Sequence, residues 1–141
     1  MIYPCKEQYI VYSISLYQYG GDMNKIKSFK DLRVWQKGIE IVIDAYTLTK
    51  KFPKEELYSL TTQIKRSAVS IPSNIAEGFK RFHIKENKQF LYIALASLAE
   101  LETQFTIAKE LSFTSEAELA NISEKIEHAS KMLSSLLKRL S

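Results

Sequence analysis

The chain has 141 residues, of which 45% are hydrophobic, so it can bury one core but is too short for two comfortable domains. Four glycines and three prolines are too few for a many-turned β protein, and this composition favours an all-α class. The net charge of +4 permits an acidic partner such as RNA or DNA without requiring one. The single cysteine, Cys5, excludes an internal disulfide and favours a reducing, cytoplasmic location.

The first 22 residues differ in composition from the rest of the chain, because they hold most of the tyrosines and few charges. The stretch lacks the basic start of a signal peptide and is too short to span a membrane, while Tyr9 to Tyr12 has the β propensity of a hairpin arm. Codons for Gly20-Gly21-Asp22 can form a ribosome-binding sequence directly before Met23. We therefore expect residues 1–22 to be a non-native or disordered leader and residues 23–141 to be the domain. Mass spectrometry of the native N-terminus tests this.

The first predicted helix runs from about Asp31 to Lys51 and ends where Phe52-Pro53 breaks it. It has two apolar stripes at helical spacing. One stripe consists of Leu32, Trp35, Ile39, Val42 and Tyr46, and the other consists of Val34, Ile41, Ala45 and Leu48. A helix in an isolated bundle needs one stripe, so the second is expected to cover a further helix or another subunit.

The second predicted helix starts directly after Pro53, with two glutamates in its first turn to complement the helix dipole. Its apolar stripe consists of Leu57, Leu60, Ile64, Ala68, Ile71, Ile75 and Phe79. The periodicity continues through Pro72, which predicts a kink inside one long helix. Gly78 is an alternative end, although Phe82 keeps the pattern for another turn.

The third predicted helix runs from about Lys85 to Leu111. Its apolar residues form a heptad seam of Leu91, Ala94, Leu98, Leu101, Phe105 and Ala108. The segment between Phe90 and Ala99 carries no charge and is too short to span a membrane, so we expect it to be buried on more than one side.

The fourth predicted helix begins at an N-cap, Ser115, which forms a capping box with Glu118. Its apolar residues are Leu119, Ile122, Ile126, Ala129, Leu133, Leu136 and Leu140. Because the connections are short, neighbouring helices are expected to be antiparallel. The sequence therefore predicts an all-α, antiparallel up-down four-helix bundle.

Residues that support catalysis are scarce. His83 and His128 lie on different helices or their edges, without carboxylates at metal-ligand spacing. Ser67 and Ser70 have no local base and are better explained by close helix packing. Gly78 stands alone and does not form a phosphate-binding loop. We therefore expect no catalytic residue, no metal site, no cofactor and no enzymatic activity.

Basic residues gather at one end of the predicted bundle, where the first helix starts, the second and third meet, and the fourth ends. Those expected to bind nucleic acid are Lys30, Arg33, Lys80, Arg81, Lys85, Lys88, Lys138 and Arg139, with Lys25 and Lys27 nearby. Asp31 and Glu86 are the main opposing charges. Clustered cations bind phosphates by releasing counterions. Alternatively, basic residues at helix C-termini complement the helix dipoles.

Several separated segments resemble the family of 23S ribosomal RNA intervening-sequence proteins, which are four-helix bundles. The segments are Phe29 to Lys37, Phe52-Pro53, Glu56 to Leu60, Gln63 to Gly78, and Phe90 to Ala94 with Ser97 and Glu100-Leu101. The resemblance covers about residues 29–140 and is specific, because several separated motifs occur in the family's order. Residues 1–22 have no counterpart in the family.

The resemblance implies a homopentameric ring and kinship with accessory proteins of diversity-generating retroelements, which bind a reverse transcriptase and nucleic acid through a basic surface. It implies no catalytic residue. Residues expected to serve packing or a subunit interface are Trp35, Ile41, Ser67, Ser70, Asn74, Glu77, Gly78, Phe90 and Ile93. The leading hypothesis is a non-enzymatic oligomer that binds RNA or DNA and does not bind a membrane. The alternative is a scaffold that binds a partner protein and no nucleic acid.

Overall fold

The computed structural model describes residues 26–140, and the predicted leader, Met23 and Lys25 lie outside them. Four helices follow one another, and the predicted all-α class is confirmed. They are α1 (Arg33–Thr49), α2 (Leu60–Phe79), α3 (Ile84–Glu110) and α4 (Glu116–Arg139). Short 3-10 turns, Phe29–Asp31 and Lys54–Glu56, precede α1 and α2.

Each helix packs against the next in the chain, and α4 packs back against α1. The side-chain amide of Asn87, near the start of α3, donates a hydrogen bond of 2.6 Å to the backbone carbonyl of Gly78, near the end of α2. An ion pair between Asp44 and Lys125 joins the second half of α1 to the first half of α4. These pairings show that neighbouring helices are antiparallel, as predicted.

Both apolar stripes of α1 contact the core, although the second is buried more completely. From the first stripe Leu32 is buried, and Trp35 and Val42 are partly buried against the core. Val34, Ile41 and Ala45 from the second stripe are buried, whereas Tyr46 from the first is 42% exposed. The helix begins two residues later than predicted. A 3-10 turn precedes the helix, and a capping box between Ser28 and Asp31 stabilises this turn.

Helix α2 begins at Leu60, so the prediction of a start directly after Pro53 was wrong. The chain first makes the 3-10 turn, and the carboxylate of Glu56 then accepts a hydrogen bond from the Leu60 amide at 3.3 Å. Leu57 consequently lies outside the helix and is 47% exposed, although it was expected in the apolar stripe.

Pro72 lies inside α2 and is buried, which confirms that the helix continues through it. The end at Phe79 is earlier than the pattern through Phe82 indicated. The side chain of Asn87 donates a hydrogen bond to the Gly78 carbonyl, and the backbone amide of Arg81 donates to the same carbonyl at 3.1 Å. The chain therefore turns toward α3, and Phe82 is left 56% exposed.

The heptad seam of α3 is buried, as predicted: Leu91, Leu98 and Phe105 have no exposed surface. Within residues 26–140, the uncharged segment of this helix is not covered on a second side. Tyr92 and Ile93 remain 54% and 48% exposed, because α3 packs mainly against α2 and α4 in the part of the chain that the structure describes. An apolar outer face results.

The predicted capping box at the start of α4 is present. The Ser115 hydroxyl accepts from the Glu118 amide, and the Glu118 carboxylate accepts from the Ser115 amide at 2.9 Å. The same carboxylate pairs with Lys51 beyond the end of α1. The Lys51 ammonium, followed by the Ser115 amide, lowers the pKa of Glu118 to about 2.

Replacing Glu118 with glutamine is expected to lower the free energy of unfolding at neutral pH by about 0.5–1 kcal/mol. Since the folded-state pKa is depressed, this stabilisation is present above pH 4.5 and is lost as pH falls toward 2. Thermal unfolding of wild type and Glu118→Gln between pH 7 and 2 measures the difference in their stability, which should become smaller below pH 4.5. Glu116→Gln, an exposed change in the same turn, is the control. An equal, pH-independent loss in both variants would contradict the expectation.

Candidate nucleic-acid interface

The basic pole is the end of the bundle where α1 and α3 begin and α2 and α4 end. From this pole a cleft of about 110 Å³ runs between α1 and α4, lined by Arg33 and Glu40 from α1 and by His128 and Met132 from α4. Phe29, just before α1, lines a second pocket together with Ala76 near the end of α2. The structure therefore brings together the chain segments that carry the predicted basic residues.

Most of the predicted nucleic-acid-binding residues lie on the surface of this pole. The exposed ones are Lys30, Arg33, Lys80, Arg81, Lys85 and Lys138. Lys88 and Arg139 are half-buried, and Nη1 of Arg139 is buried with no hydrogen-bond partner within residues 26–140. Arg139 is thus directed partly into the protein and is less accessible than the exposed members of the set.

Arg81 is held in place by two neighbours. Its guanidinium lies 4.5 Å from the centroid of the Phe90 ring, a cation–π contact that links the turn after α2 to α3. It also lies 3.7 Å from the carboxylate of Glu77, one turn earlier in α2. These contacts orient Arg81 while leaving it exposed.

Acidic side chains at the basic pole form hydrogen bonds and ion pairs with neighbouring residues. Asp31 accepts hydrogen bonds from the backbone amides of Lys27 and Ser28 at 2.7 and 2.9 Å. The Lys27 amide, followed by that of Ser28, lowers the pKa of Asp31, so its charge persists in mildly acidic solution. Glu77 is a further exposed acid at this pole, which was not counted among the opposing charges.

Two helix N-termini open onto the basic pole without a side-chain cap. Leu32 precedes α1 and His83 precedes α3, and neither side chain hydrogen-bonds to the helix it precedes. The first amides of a helix carry a partial positive charge that favours anions. Both termini therefore add to the positive potential of the basic side chains.

The opposite pole has a different charge pattern. Lys51 pairs with Glu118 there, and Lys109 pairs with Glu110 at 3.3 Å. The exposed acids of the flanking segments are Glu55, Glu110 and Glu116. Because cations are balanced by carboxylates, this pole offers a weaker attraction to phosphate.

The residues expected to serve packing or a subunit interface occupy three environments. Ile41, Ser67 and Gly78 are buried; Trp35, Ser70, Asn74 and Phe90 are half-buried; Glu77 and Ile93 are exposed. Ser70 forms a hydrogen bond of 2.9 Å with Ser97 of α3, and the Asn74 amide donates to the Ser70 carbonyl. The bond between the two serines joins α2 to α3, whereas the bond from Asn74 lies within α2.

Two features of the pole were absent from the sequence prediction. Phe82 is an exposed aromatic residue at the turn between α2 and α3, and Phe29 lines a pocket beside Lys80. The alternation of basic and aromatic residues from Phe79 to His83 was the available signal. It was interpreted as a continuing helical stripe.

Within residues 26–140 there is no group of three or more His, Cys, Asp or Glu residues placed to hold a metal ion. His83 and His128 are both exposed. In the same range, no helix has the length and apolar character needed to cross a lipid bilayer.

Comparison with known proteins agrees with the fold. Residues 30–135 match the family described as 23S rRNA-intervening sequence protein. A crystal structure of a protein of unknown function from the S23 ribosomal protein family of Bacteroides thetaiotaomicron VPI-5482 is similar, with 24% sequence identity and a TM-score of 0.70. The alignment covers 74% of this chain and 98% of that chain, and it supports the fold alone. No curated protein matches.

Proposed function

The chain belongs to the 23S rRNA-intervening sequence protein family, and from this premise we propose that it is a non-enzymatic bundle that assembles with copies of itself and binds RNA or DNA through the basic pole. The family assignment supports a link to ribosomal RNA genes but names no ligand. The support for nucleic-acid binding comes from the placement of charge.

The observation that carries the proposal is where the basic residues lie along the helices. Lys80 and Lys138 lie at helix C-termini, where cations also stabilise the helix dipole. Arg33 and Lys85 lie in the first turns of α1 and α3, where the dipole disfavours a cation. The helix dipole does not explain Lys85 at this position, and a phosphate-binding surface gives it a role, while Arg33 also has a partner within the protein.

Salt-dependent binding tests this function. A fluorescently labelled structured RNA should bind at low salt, and the logarithm of its affinity should fall linearly with the logarithm of salt concentration. The slope gives the number of phosphates neutralised. Absence of affinity at low salt would overturn the proposal and leave the protein-interaction scaffold as the explanation of the surface.

Self-assembly is supported by apolar side chains that residues 26–140 leave exposed. Ile43 on α1, Val69 on α2, and Tyr92 and Ile93 on α3 are each more than 40% exposed. We propose a closed homo-oligomer, with the pentameric ring implied by the family resemblance as its form. Assembly would place several basic poles in one particle and raise the affinity for a long nucleic acid.

Replacing Ile93 with arginine is expected to reduce the particle mass measured by light scattering while helix content is retained. Ile93 is already 48% exposed in the single chain, so the added charge harms the contact between copies more than the core. Ala120→Arg adds the same charge at an exposed position of α4, which carries no exposed large apolar side chain within residues 26–140, and should leave the mass unchanged. A wild-type protein that is monomeric, or an Ile93→Arg variant of unchanged mass, would contradict the assignment.

A further inference from the structure

The turn between α2 and α3 presents an aromatic ring to solvent in the middle of the basic pole. Phe82 is 56% exposed, and its ring is perpendicular to that of His83 with centroids 5.3 Å apart. Lys80 and Lys85 flank it in the chain and are also exposed. Binding of phosphates alone requires cations and does not require an exposed phenyl ring.

An open, shallow pocket of about 410 Å³ adjoins this turn. Phe29 and Ala76 give it an apolar surface, and Lys80 and Arg81 supply cations. Glu77 contributes a carboxylate, which accepts hydrogen bonds from amino or imino groups. An aromatic surface, cations and an acceptor therefore lie next to one another.

We propose that the basic pole binds unpaired nucleotides, with one base stacked on Phe82 and a neighbouring base in the pocket beside Phe29, while Lys80 and Lys85 hold the phosphates. This inference rests on the proposed nucleic-acid binding and specifies its ligand as a single-stranded segment. Bases in a duplex are stacked on each other, so their faces are inaccessible to a side chain. Unpaired bases in loops and ends stack on aromatic residues.

The test compares single strands with duplexes. Labelled single-stranded RNA and DNA of about 15 nucleotides, and duplexes of the same length, are titrated at fixed low salt. Phe82→Ala is expected to weaken single-strand binding by about fivefold or more, with duplex affinity and the salt slope unchanged. Tyr58→Ala removes an aromatic ring that is 92% exposed at the opposite pole, and it should change neither affinity.

A second variant and a comparison of RNA with DNA separate base stacking from other roles of Phe82. Phe82→Trp should restore single-strand affinity, because tryptophan keeps the aromatic face. A preference for RNA or for DNA tells whether the sugar is also recognised, and either result supports stacking. Equal losses for single strands and duplexes, or a lower particle mass of Phe82→Ala, would overturn the inference and mark Phe82 as a structural or subunit contact.

The failure of this inference is distinguishable from failure of the proposed function. If no nucleic acid binds wild-type protein at low salt, both are overturned. If binding is salt-dependent but Phe82→Ala binds single strands as tightly as wild type, only the assignment to unpaired nucleotides is overturned.

Discussion

Replacing Lys30, Lys80 and Lys85 with glutamate is expected to lower RNA affinity at low salt by about 100-fold or more. All three side chains are exposed at the basic pole, so each releases counterions when it contacts a phosphate. Reversal both removes these contacts and adds repulsion. The slope of log affinity against log salt should become flatter by roughly three counterions. Helix content and particle mass should remain those of wild type.

The matched control places the same charge change at the other pole. Lys50, Lys54 and Lys109, replaced together by glutamate, alter the net charge equally but lie where acids already balance the cations. This variant should lose less than about tenfold in affinity, through the long-range field alone. Equal losses in the two triple variants would mean that net charge, and not the basic pole, determines binding.

Local patterns predicted the regular parts of this fold. The heptad seam of α3 and the Ser115 capping box are visible in the sequence because their residues lie three or four positions apart. The continuation of α2 through Pro72 followed from periodicity on both sides of the proline. The basic pole followed from up-down order, since antiparallel helices with short connections must bring alternate ends together.

The errors have a common physical cause, which is a side chain that acts on the backbone at an end of a helix. The Glu56 carboxylate accepts from Leu60, so α2 starts late and Leu57 is exposed. Asn87 binds the Gly78 carbonyl from nine residues away, so α2 ends early and Phe82 becomes a surface residue.

The early end of α2 bears on function, because the turn that carries Phe82 is held by the close approach of α2 to α3. Gly78 is at the point of contact. A Cβ atom added there would lie 3.2 Å from the Asn87 carbonyl oxygen and 3.2 Å from the Phe90 Cβ. The absence of a side chain therefore permits both the Asn87 hydrogen bond and the stacking of Arg81 on Phe90.

Replacing Gly78 with leucine is expected to destabilise the protein by about 3 kcal/mol or more, because the side chain must push the start of α3 away from α2. The midpoint of thermal unfolding should fall by roughly 10 °C. Ser73→Leu adds the same side chain to α2 at an exposed position and should change the midpoint little. Gly78→Ala should lie between them, since a gain in helix propensity of about 1 kcal/mol offsets part of the tight contact. A Gly78→Leu protein that melts with wild type would show that this approach of the helices is not required for the fold.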